Sequence, residues 1–452
     1  MEFDKIISDI SSFVWGYPLL FILIGGGLYL LFVSKFLPFK YFFHAIDIVR
    51  GKFNDKKSDG EISHFQALTT ALSATVGMGN IAGVAVAISI GGPGAIFWMW
   101  MSGIIGMSTK FFTSALAVMY RGVDSAGKKQ GGPMYFIVNG LGKKWFPMAM
   151  FFSFCGMVGA LPVFNVNQLT QAINDIVLKP NGFEVSLFSN AIIGLILIIL
   201  TSIVILGGLK RISRVSARIV PFMVGVYIIS ILIILIVNYD NVPEYLYLIF
   251  YDAFNADYYS GNSALGGVLG ALIILGIRRG AFSNEAGIGM APMAHGAAKT
   301  NNPIKEGFVA MLGPFIDTLM VCTMTALAIL VTGAWKTQAD GVSLTAAAFE
   351  SSFSGIGNYI LLACVFVFSI SSLFSYSYYG TKCLSFIAGD NNKKKYNYIY
   401  IISIMLGATT SLSMMINLID TFFALMAIPT MIATLILAPK VLNELKKYEI
   451  KR

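Results

Sequence analysis

Long apolar runs separated by short charged stretches follow one another along the whole chain. A helix that crosses a bilayer needs about 20 consecutive, mainly apolar residues. Runs of that length lie near 15–35, 64–89, 94–120, 146–178, 187–207, 213–237, 266–298, 306–332, 357–387, 396–416 and 418–438. The pattern therefore predicts an all-α integral membrane protein with about 11 transmembrane helices.

Composition excludes a water-soluble protein. Of the 452 residues, 56% are hydrophobic and only 12% are charged, whereas a soluble domain carries roughly 25% charged residues. No long polar linker separates the apolar runs, so we expect a single membrane domain in contact with lipid. The net charge of +9 does not indicate a nucleic-acid partner, because the basic residues lie in short loops between the runs.

The distribution of these basic residues predicts an orientation. If the N-terminus is extracellular, 26 of the 32 Lys and Arg residues fall in cytoplasmic segments, as the positive-inside rule requires. We therefore expect a multi-pass protein of the cell membrane with its C-terminus in the cytoplasm. The acidic start of the chain, with Glu2, Asp4 and Asp9, does not resemble a signal peptide.

Two segments outside the spans have interfacial character. The stretch 39–52 is apolar and basic, which favours a helix on the inner membrane surface, and 239–262 is acidic and aromatic, which favours an outer cap. We predict these divisions: an extra span and interfacial segment at 1–63, a first five-helix repeat at 64–237, the outer cap at 238–265, a second repeat at 266–438 and a cytoplasmic tail at 439–452.

Two spans carry glycine clusters that disfavour a continuous helix. The span 64–89 contains Val-Gly-Met-Gly-Asn at 76–80, and the span 266–298 contains several glycines together with charges between 276 and 289. Irregular backbone within a membrane is tolerated only where it lines a cavity or is covered by protein. Four spans separate the two. If the first span is set aside, the broken spans are helices 1 and 6 of a ten-helix core, which indicates two inverted five-helix repeats with a binding site at the midplane. The alternative is that the glycines only permit close helix packing.

A broken span offers binding groups of both signs. Backbone N–H groups at the start of a half-helix suit a carboxylate, and carbonyl groups freed at the other half suit a hard cation such as Na⁺. One site can therefore bind a zwitterion and a cation side by side.

At these residues the chain resembles the alanine/glycine:cation symporter family, within the amino acid–polyamine–organocation group that shares the LeuT-type fold. The matching segments are HFQALTTALSATVGMGNIAGVA at 64–85, GGPGAIFWMW at 91–100, GGPMYF at 131–136, RRGAFSNEAGIGMAPMAHGAAKT at 278–300 and SYYGTKC at 377–383. The resemblance implies uptake of small neutral amino acids, alanine or glycine, coupled to Na⁺ or alternatively to H⁺, by alternating access. Met78 and Tyr376 depart from residues typical of the family, which leaves a different selectivity open, such as glutamine or serine.

The resemblance also implies the residues that contact the substrate. They are Thr75, Gly77, Met78 and Gly79 on core helix 1, Phe164 and Gln168 on core helix 3, and Gly276 and Phe282 on core helix 6. In this interpretation the N–H groups around Gly77 and Gly79 bind the carboxylate, Met78 is a wall of the pocket, and Phe282, expected within the break, is an aromatic gate. Packing glycines and plain helix–helix contacts are the alternatives.

The same resemblance implies two cation sites. The first lies between core helices 1 and 8 and uses Ser73, Val76, Phe368, Ser371 and Ser372; the last three have the i, i+3, i+4 spacing of one helix face. Alternatively, the two serines bond back to their own helix.

The second cation site uses the Thr75 carbonyl, Asn80 and Asp317. A carboxylate inside a span is a functional candidate, and the alternative for Asp317 is an ion pair with Lys110, Arg278 or Arg279.

Other classes of function lack their signatures. An ion channel would show a carbonyl-lined filter or a ring of acidic residues, and an intramembrane enzyme would show a motif such as HExxH or GxSxG. The sequence contains none of these motifs. We therefore expect a transporter rather than an enzyme, with no obligatory protein partner.

Overall fold

The computed structural model describes residues 2–451 apart from 54–57, 126, 256–264, 338, 340 and 411–412. Nearly all of the described chain is helical. A helix satisfies its backbone hydrogen bonds internally, which an apolar segment needs when no water is available. Of the predicted outer cap, residues 256–264 lie outside the described part of the chain.

The helices follow one another in chain order. Those of the first half are α1 (Glu2–Val14), α2 (Tyr17–Leu20), α3 (Gly26–Val33), α4 (Leu37–Lys40), α5 (Phe42–Val49), α6 (His64–Thr75), α7 (Val84–Gly91), α8 (Ala95–Met119), α9 (Pro133–Phe136), α10 (Phe146–Gly159), α11 (Val163–Ile173), α12 (Leu187–Ile205) and α13 (Gly208–Val237). Those of the second half are α14 (Val242–Asn255), α15 (Leu265–Asn284), α16 (Ala291–His295), α17 (Pro303–Pro314), α18 (Thr323–Val331), α19 (Gly341–Ser352), α20 (Gly357–Ala388), α21 (Lys393–Thr409), α22 (Ser413–Leu425) and α23 (Ala427–Lys451).

Shorter elements join these helices. Wide π-helical turns occupy Phe21–Gly25, Gly79–Gly83, Ile137–Leu141, Asn174–Leu178 and Phe315–Cys322. Tight 3₁₀ turns occupy Lys143–Trp145, Tyr239–Asn241, Ala334–Lys336 and Asp390–Asn392. Two short antiparallel strands, β1 (Gly122–Val123) and β2 (Lys129–Gln130), pair with each other.

The first predicted broken span is bent. α6 starts with a capping box, in which the Ser63 side chain accepts from the Gln66 N–H and the Gln66 side chain accepts from the Ser63 N–H, so its first turn is well defined. It ends at Thr75, because Val76 is extended (φ −76°, ψ 98°). The chain then resumes through the π turn and α7 at an angle of 57° to α6. π turns in helices are frequent at functional sites.

The second predicted broken span is interrupted later than expected. α15 continues past Gly276 and Phe282 to Asn284, and non-helical residues 285–290 separate it from α16. The interruption coincides with left-handed backbone at Glu285 (φ 53°), Gly287 (φ 90°) and Gly289 (φ 105°), which glycine adopts most readily. The prediction that Phe282 sits inside the break is therefore wrong, since it lies in the last turn of α15.

Gly276 has a packing role rather than a hinge role. A Cβ atom at this position would lie 2.4 Å from the Ala95 carbonyl oxygen and 2.6 Å from the Trp98 Cβ atom on α8. One turn further on, a Cβ atom on Gly280 would lie 2.8 Å from the Ser102 Cβ atom. The absence of side chains at these two positions lets α15 pack closely on α8. At Gly276 and Gly280 the glycines therefore permit close helix packing and do not break the helix.

Some local elements differ from the sequence expectations. The predicted inner interfacial helix is two short helices, α4 and α5, and Pro38 occupies the first turn of α4, where its missing N–H is no loss. Helix α19, between α18 and α20, and the β1–β2 pair were not predicted.

Seven helical stretches among the described residues are long and apolar enough to cross a membrane, and the bent α6–α7 pair makes an eighth. The protein is therefore a helical, multi-pass membrane protein. α8 packs against α15 and α17, and a Cβ atom on its Gly106 would meet Ala286 at 3.0 Å. This packing holds the interruption after α15 against the middle of α8.

Candidate functional site

Two adjoining cavities lie at the interruption between α6 and α7. The larger has a volume of about 740 Å³ and extends to α19, where Val342 and Ala346 line it. The smaller has a volume of about 50 Å³ and is also lined by Ser283, Glu285 and Tyr376. Four of the predicted substrate residues line both cavities: Met78, Gly79, Phe164 and Phe282.

The remaining predicted substrate residues divide between these cavities and the helix packing. Gln168 lines the larger cavity, and Thr75 and Gly77 line the smaller. Gly276 lines neither of the two and contacts α8 instead. The structure thus brings together seven of the eight residues and corrects the eighth.

Phe282 is part of an aromatic cluster at the boundary of the two cavities. Its ring centroid lies 6.2 Å from that of Phe164, 5.6 Å from that of Trp15 and 6.3 Å from that of Phe423. Trp15 comes from the N-terminal extra segment, and no sequence signal links it to the site. Aromatic rings at such spacings attract one another, so the cluster closes one wall of the smaller cavity.

The backbone at the first interruption is partly satisfied by a side chain. The Gly77 N–H donates to Asn80 Oδ1 over 2.8 Å. In this conformation that N–H is therefore not free for a ligand, contrary to the expectation that both glycine N–H groups face the substrate. The Thr75 hydroxyl, by contrast, is buried and has no hydrogen-bond partner among the described residues.

Asp317 lies in the centre of a buried polar cluster. The Asn80 side-chain amide donates to Asp317 Oδ1 over 2.5 Å, and the Ser283 and Thr318 hydroxyls donate to Oδ2 over 2.8 and 2.9 Å. All four side chains are at most 2% exposed. The cluster joins the first interruption, the end of α15 and the π turn after α17.

The geometry bears on both earlier interpretations of Asp317, since Lys110 lies within electrostatic range of its carboxylate. Among the described residues, no ion pair within 4.0 Å joins it to Lys110, Arg278 or Arg279. Its pairing with Asn80 was expected, whereas Ser283 and Thr318 were missed. Serine and threonine residues near an interrupted helix are too common in sequences for these two to be recognised as partners of Asp317.

A second group of hydroxyls lies between α6 and α20. Ser371 Oγ is 3.4 Å from the Ser73 carbonyl oxygen, and Ser372 Oγ is 3.5 Å from the Ala74 carbonyl oxygen. Both hydroxyls also donate to the Phe368 carbonyl, over 2.9 and 3.1 Å. The two serine hydroxyls therefore bond to a carbonyl of their own helix and also lie close to carbonyl groups of α6.

Further hydroxyls surround this group. Ser375 is hydrogen-bonded to Ser73, and the Ser216 hydroxyl on α13 lies 3.3 Å from Ser73 Oγ. Val76 and Phe368 are fully buried beside them. The sequence reasoning missed Ser216 and Ser375, which extend the oxygen-rich interface to α13.

A buried acidic group joins three elements at the end of α6 remote from the interruption. Glu306 on α17 is hydrogen-bonded to His64 on α6 and, over 2.6 Å, to His295 on α16. Its side chain is fully buried, and those of His64 and His295 are 4% and 1% exposed. The cluster holds the first half of one interrupted span against the second half of the other.

The sequence is similar to known proteins along its whole length. The profile of the Sodium:alanine symporter family matches residues 1–452. The sodium/alanine symporter AgcS of Methanococcus maripaludis is 39% identical over 462 residues, which cover 100% of this chain and 99% of that protein. A protein of Bacillus subtilis described as a probable sodium/glutamine symporter, GlnT, is 35% identical, with 98% and 90% of the two chains covered.

A solved structure shares the fold. The crystal structure of MhsT in complex with L-phenylalanine superposes with a TM-score of 0.56 over 79% of this chain and 81% of that chain. Sequence identity is only 13%, so this likeness concerns the fold, which is of the LeuT type.

Proposed function

This chain belongs to the sodium:alanine symporter family, and on that premise we propose that it carries alanine and glycine into the cell together with Na⁺. It is a membrane transporter and not an enzyme. The observation that supports the proposed substrate is the small cavity of about 50 Å³ at two interrupted helices. A cavity of that size beside Met78 favours a short side chain.

The proposed architecture has 11 spans. It comprises the extra N-terminal segment 1–63, repeats at 64–237 and 266–438, the outer cap 238–265 and the tail 439–452. The two interrupted helices occupy equivalent positions in the repeats, as in transporters built from inverted repeats. The excess of Lys and Arg in alternate loops supports an extracellular N-terminus and a cytoplasmic C-terminus. The larger cavity then opens to the outside, next to α19.

The proposed substrate orientation follows from the ends of the half-helices. The π turn that begins at Gly79 presents a positive helix end, which attracts the substrate carboxylate. α6 ends at Thr75 and α15 ends at Asn284, and both present negative ends to the same region. A zwitterion bound between these ends matches both signs of charge.

A glutamine carrier is the second candidate. The smaller cavity adjoins one of about 740 Å³ that Gln168 lines, and that volume accommodates a longer polar side chain. Because the chain is similar to a probable glutamine symporter, the uptake of glutamine should be compared directly with that of alanine.

Na⁺ is the proposed coupling ion, with H⁺ as the alternative. The first proposed site uses Ser73, Val76, Phe368, Ser371 and Ser372. The second uses Thr75, Asn80 and Asp317. Both offer several oxygen atoms, the ligands that hard cations prefer.

The driving force is sufficient for concentrative uptake. Moving one positive charge inward across 100 mV supplies about 2.3 kcal/mol, which alone supports roughly a 50-fold substrate gradient. A Na⁺ gradient adds to it.

Uptake into proteoliposomes tests this function. Radiolabelled alanine is expected to accumulate when an inward Na⁺ gradient is imposed, more strongly than glutamine, and an inward H⁺ gradient alone is expected not to replace Na⁺. Flux that only equilibrates alanine across the membrane would contradict symport. A clear preference for glutamine would favour the second candidate.

The Ser372→Ala variant tests the first cation site. We expect the Na⁺ concentration for half-maximal alanine uptake to rise about 2- to 10-fold, because the site loses a hydroxyl that lies 3.5 Å from the Ala74 carbonyl oxygen. A lost hydrogen-bonding group of this kind is worth roughly 0.5–1.5 kcal/mol. Ser377→Ala is the matched control, since the Ser377 hydroxyl bonds back to Phe374 on its own helix. An unchanged Na⁺ dependence in Ser372→Ala would remove this residue from the site.

The Gly276→Ala variant tests the packing assignment. The added methyl would lie 2.4 Å from the Ala95 carbonyl oxygen, and overpacking of this kind typically costs about 1–3 kcal/mol. We expect a lower melting temperature and an unchanged KM for alanine. Gly225→Ala on α13 is the control, because a Cβ atom there would meet no atom of the described residues within 4 Å. A raised KM with unchanged stability would return Gly276 to the substrate site.

A further inference from the structure

Glu285 is a buried acidic residue at the second interruption that the proposed function does not use. It follows the last residue of α15, has left-handed backbone with φ 53° and is 3% exposed. A non-glycine residue in this conformation is strained, and such strain is often found at functional sites. Glu285 also lines the smaller cavity together with Thr75, Gly79 and Tyr376.

The two oxygen atoms of the Glu285 carboxylate have different surroundings. The Tyr376 hydroxyl donates to Oε1 over 2.6 Å, which holds the side chain in one orientation. Oε2 is buried and has no hydrogen-bond partner among the described residues. A buried polar atom without a partner is rare in folded proteins. Oε2 is therefore available to accept a hydrogen bond from a ligand.

The charges around Glu285 do not supply that donor. Lys110 lies within electrostatic range, but no ion pair within 4.0 Å involves Glu285 in the described chain. Asp420, the other carboxylate that lines this cavity, has Arg278 and Arg279 within electrostatic range. Burying a carboxylate without a close cation is unfavourable. Among the described groups, Glu285 has one cation in electrostatic range and Asp420 has two; Glu285 is also buried, whereas Asp420 is partly exposed. Of the two carboxylates that line this cavity, Glu285 therefore gains more from a bound cation.

We propose that Glu285 binds the α-ammonium group of the amino-acid substrate through Oε2. This inference rests on the proposed function and adds a specificity-determining residue to it. The Thr75 hydroxyl is buried, lines the same cavity and has no hydrogen-bond partner in the described part of the chain, so it is the second acceptor. The C-terminal ends of α6 and α15 add negative partial charge at the same place.

The geometry favours an ammonium group over a metal ion at Glu285. An ammonium group has three N–H donors, which match the two unpartnered oxygens and a carbonyl at a helix end. A hard cation such as Na⁺ prefers a shell of several oxygens, and the Asp317 cluster and the α6–α20 interface are richer in them. The substrate then lies with its carboxylate toward Gly79 and its ammonium group toward Glu285.

Competition binding on the purified full-length protein tests this inference. Unlabelled alanine and propionate are each tested as competitors of radiolabelled alanine at saturating Na⁺. Propionate keeps the methyl and carboxylate groups of alanine but lacks the ammonium group. In Glu285→Gln we expect the Kd for alanine to rise about 10- to 100-fold, as expected for the loss of a charge-assisted hydrogen bond. The inhibition constant of propionate should remain unchanged or improve. Glu244→Gln, at an exposed position on α14, is the charge-matched control.

The outcomes separate this inference from the function it rests on. If the wild-type protein fails to bind alanine in the presence of Na⁺, the proposed function fails. If the wild-type protein binds alanine and Glu285→Gln keeps its Kd within about threefold, far less than a charge-assisted hydrogen bond is worth, only the role of Glu285 is overturned. If Glu285→Gln loses thermal stability as well as binding, the Tyr376→Phe variant is measured instead, because it removes the hydroxyl that orients the Glu285 carboxylate. This variant should weaken alanine binding severalfold without affecting propionate binding. Equal effects on both ligands would overturn the proposal.

Discussion

Replacing Asp317 by asparagine is expected to weaken the Na⁺ dependence of alanine uptake severely while the protein still folds. Asp317 accepts hydrogen bonds from Asn80, Ser283 and Thr318 in a fully buried cluster. Asparagine has nearly the same shape and keeps one acceptor oxygen, but it lacks the negative charge that attracts a cation. Removing one partner of a buried, hydrogen-bonded charge pair costs about 2–5 kcal/mol. We therefore expect the Na⁺ concentration for half-maximal uptake to rise about 100-fold or more.

The measurement is alanine uptake in proteoliposomes over a series of external Na⁺ concentrations, with the melting temperature recorded alongside. Asp252→Asn is the matched control, because Asp252 on α14 is also a buried carboxylate, but it accepts a hydrogen bond from the Gly94 N–H over 2.7 Å. It should retain wild-type Na⁺ dependence. If Asp317→Asn also retained normal coupling, Asp317 would be a structural residue, and the second cation site would be withdrawn.

The largest effect on stability is expected for Glu306→Ala. Glu306 is hydrogen-bonded to His64 and His295, and all three side chains are buried. Alanine leaves two imidazole groups without their acceptor and opens a cavity where α6, α16 and α17 meet. Leaving a buried hydrogen-bonding group without its partner costs about 1–3 kcal/mol for each group, and two imidazole groups lose their acceptor here. The melting temperature of the purified protein should fall markedly.

A triple variant provides the comparison. Replacing His64, His295 and Glu306 together by leucine removes the cluster without leaving an uncompensated polar group, and such replacements are often close to neutral. The triple variant should therefore be more stable than Glu306→Ala alone. If Glu306→Ala matched the wild-type protein in stability, the cluster would not be what holds these three helices together.

Membrane spanning and the first interruption are properties that the sequence carries locally. The hydropathy of each apolar run is a sum over neighbouring residues, and the glycines around Met78 disfavour a helix wherever they occur. The same reasoning placed the second interruption too early. Gly276 and Gly280 look like helix breakers in sequence, but they are accommodated within α15 because α8 packs against them.

The polar clusters, in contrast, consist of residues that are far apart in the chain. Asn80 and Asp317 are separated by 237 positions, Glu285 and Tyr376 by 91, and His64 and Glu306 by 242. The family resemblance suggested the pairing of Asn80 with Asp317, but no local pattern indicates Ser283, Thr318 or the acceptor of the Tyr376 hydroxyl.

By itself the sequence determined that this chain is a helical, multi-pass membrane protein of a symporter family with an interrupted helix at 76–80. Only the tertiary structure decided which glycines break a helix and which pack one, and which buried carboxylates already have donors. The physical reason is that hydropathy and helix propensity act over a few residues. The partner of a buried polar group is set by which helices pack together, and that depends on the whole chain.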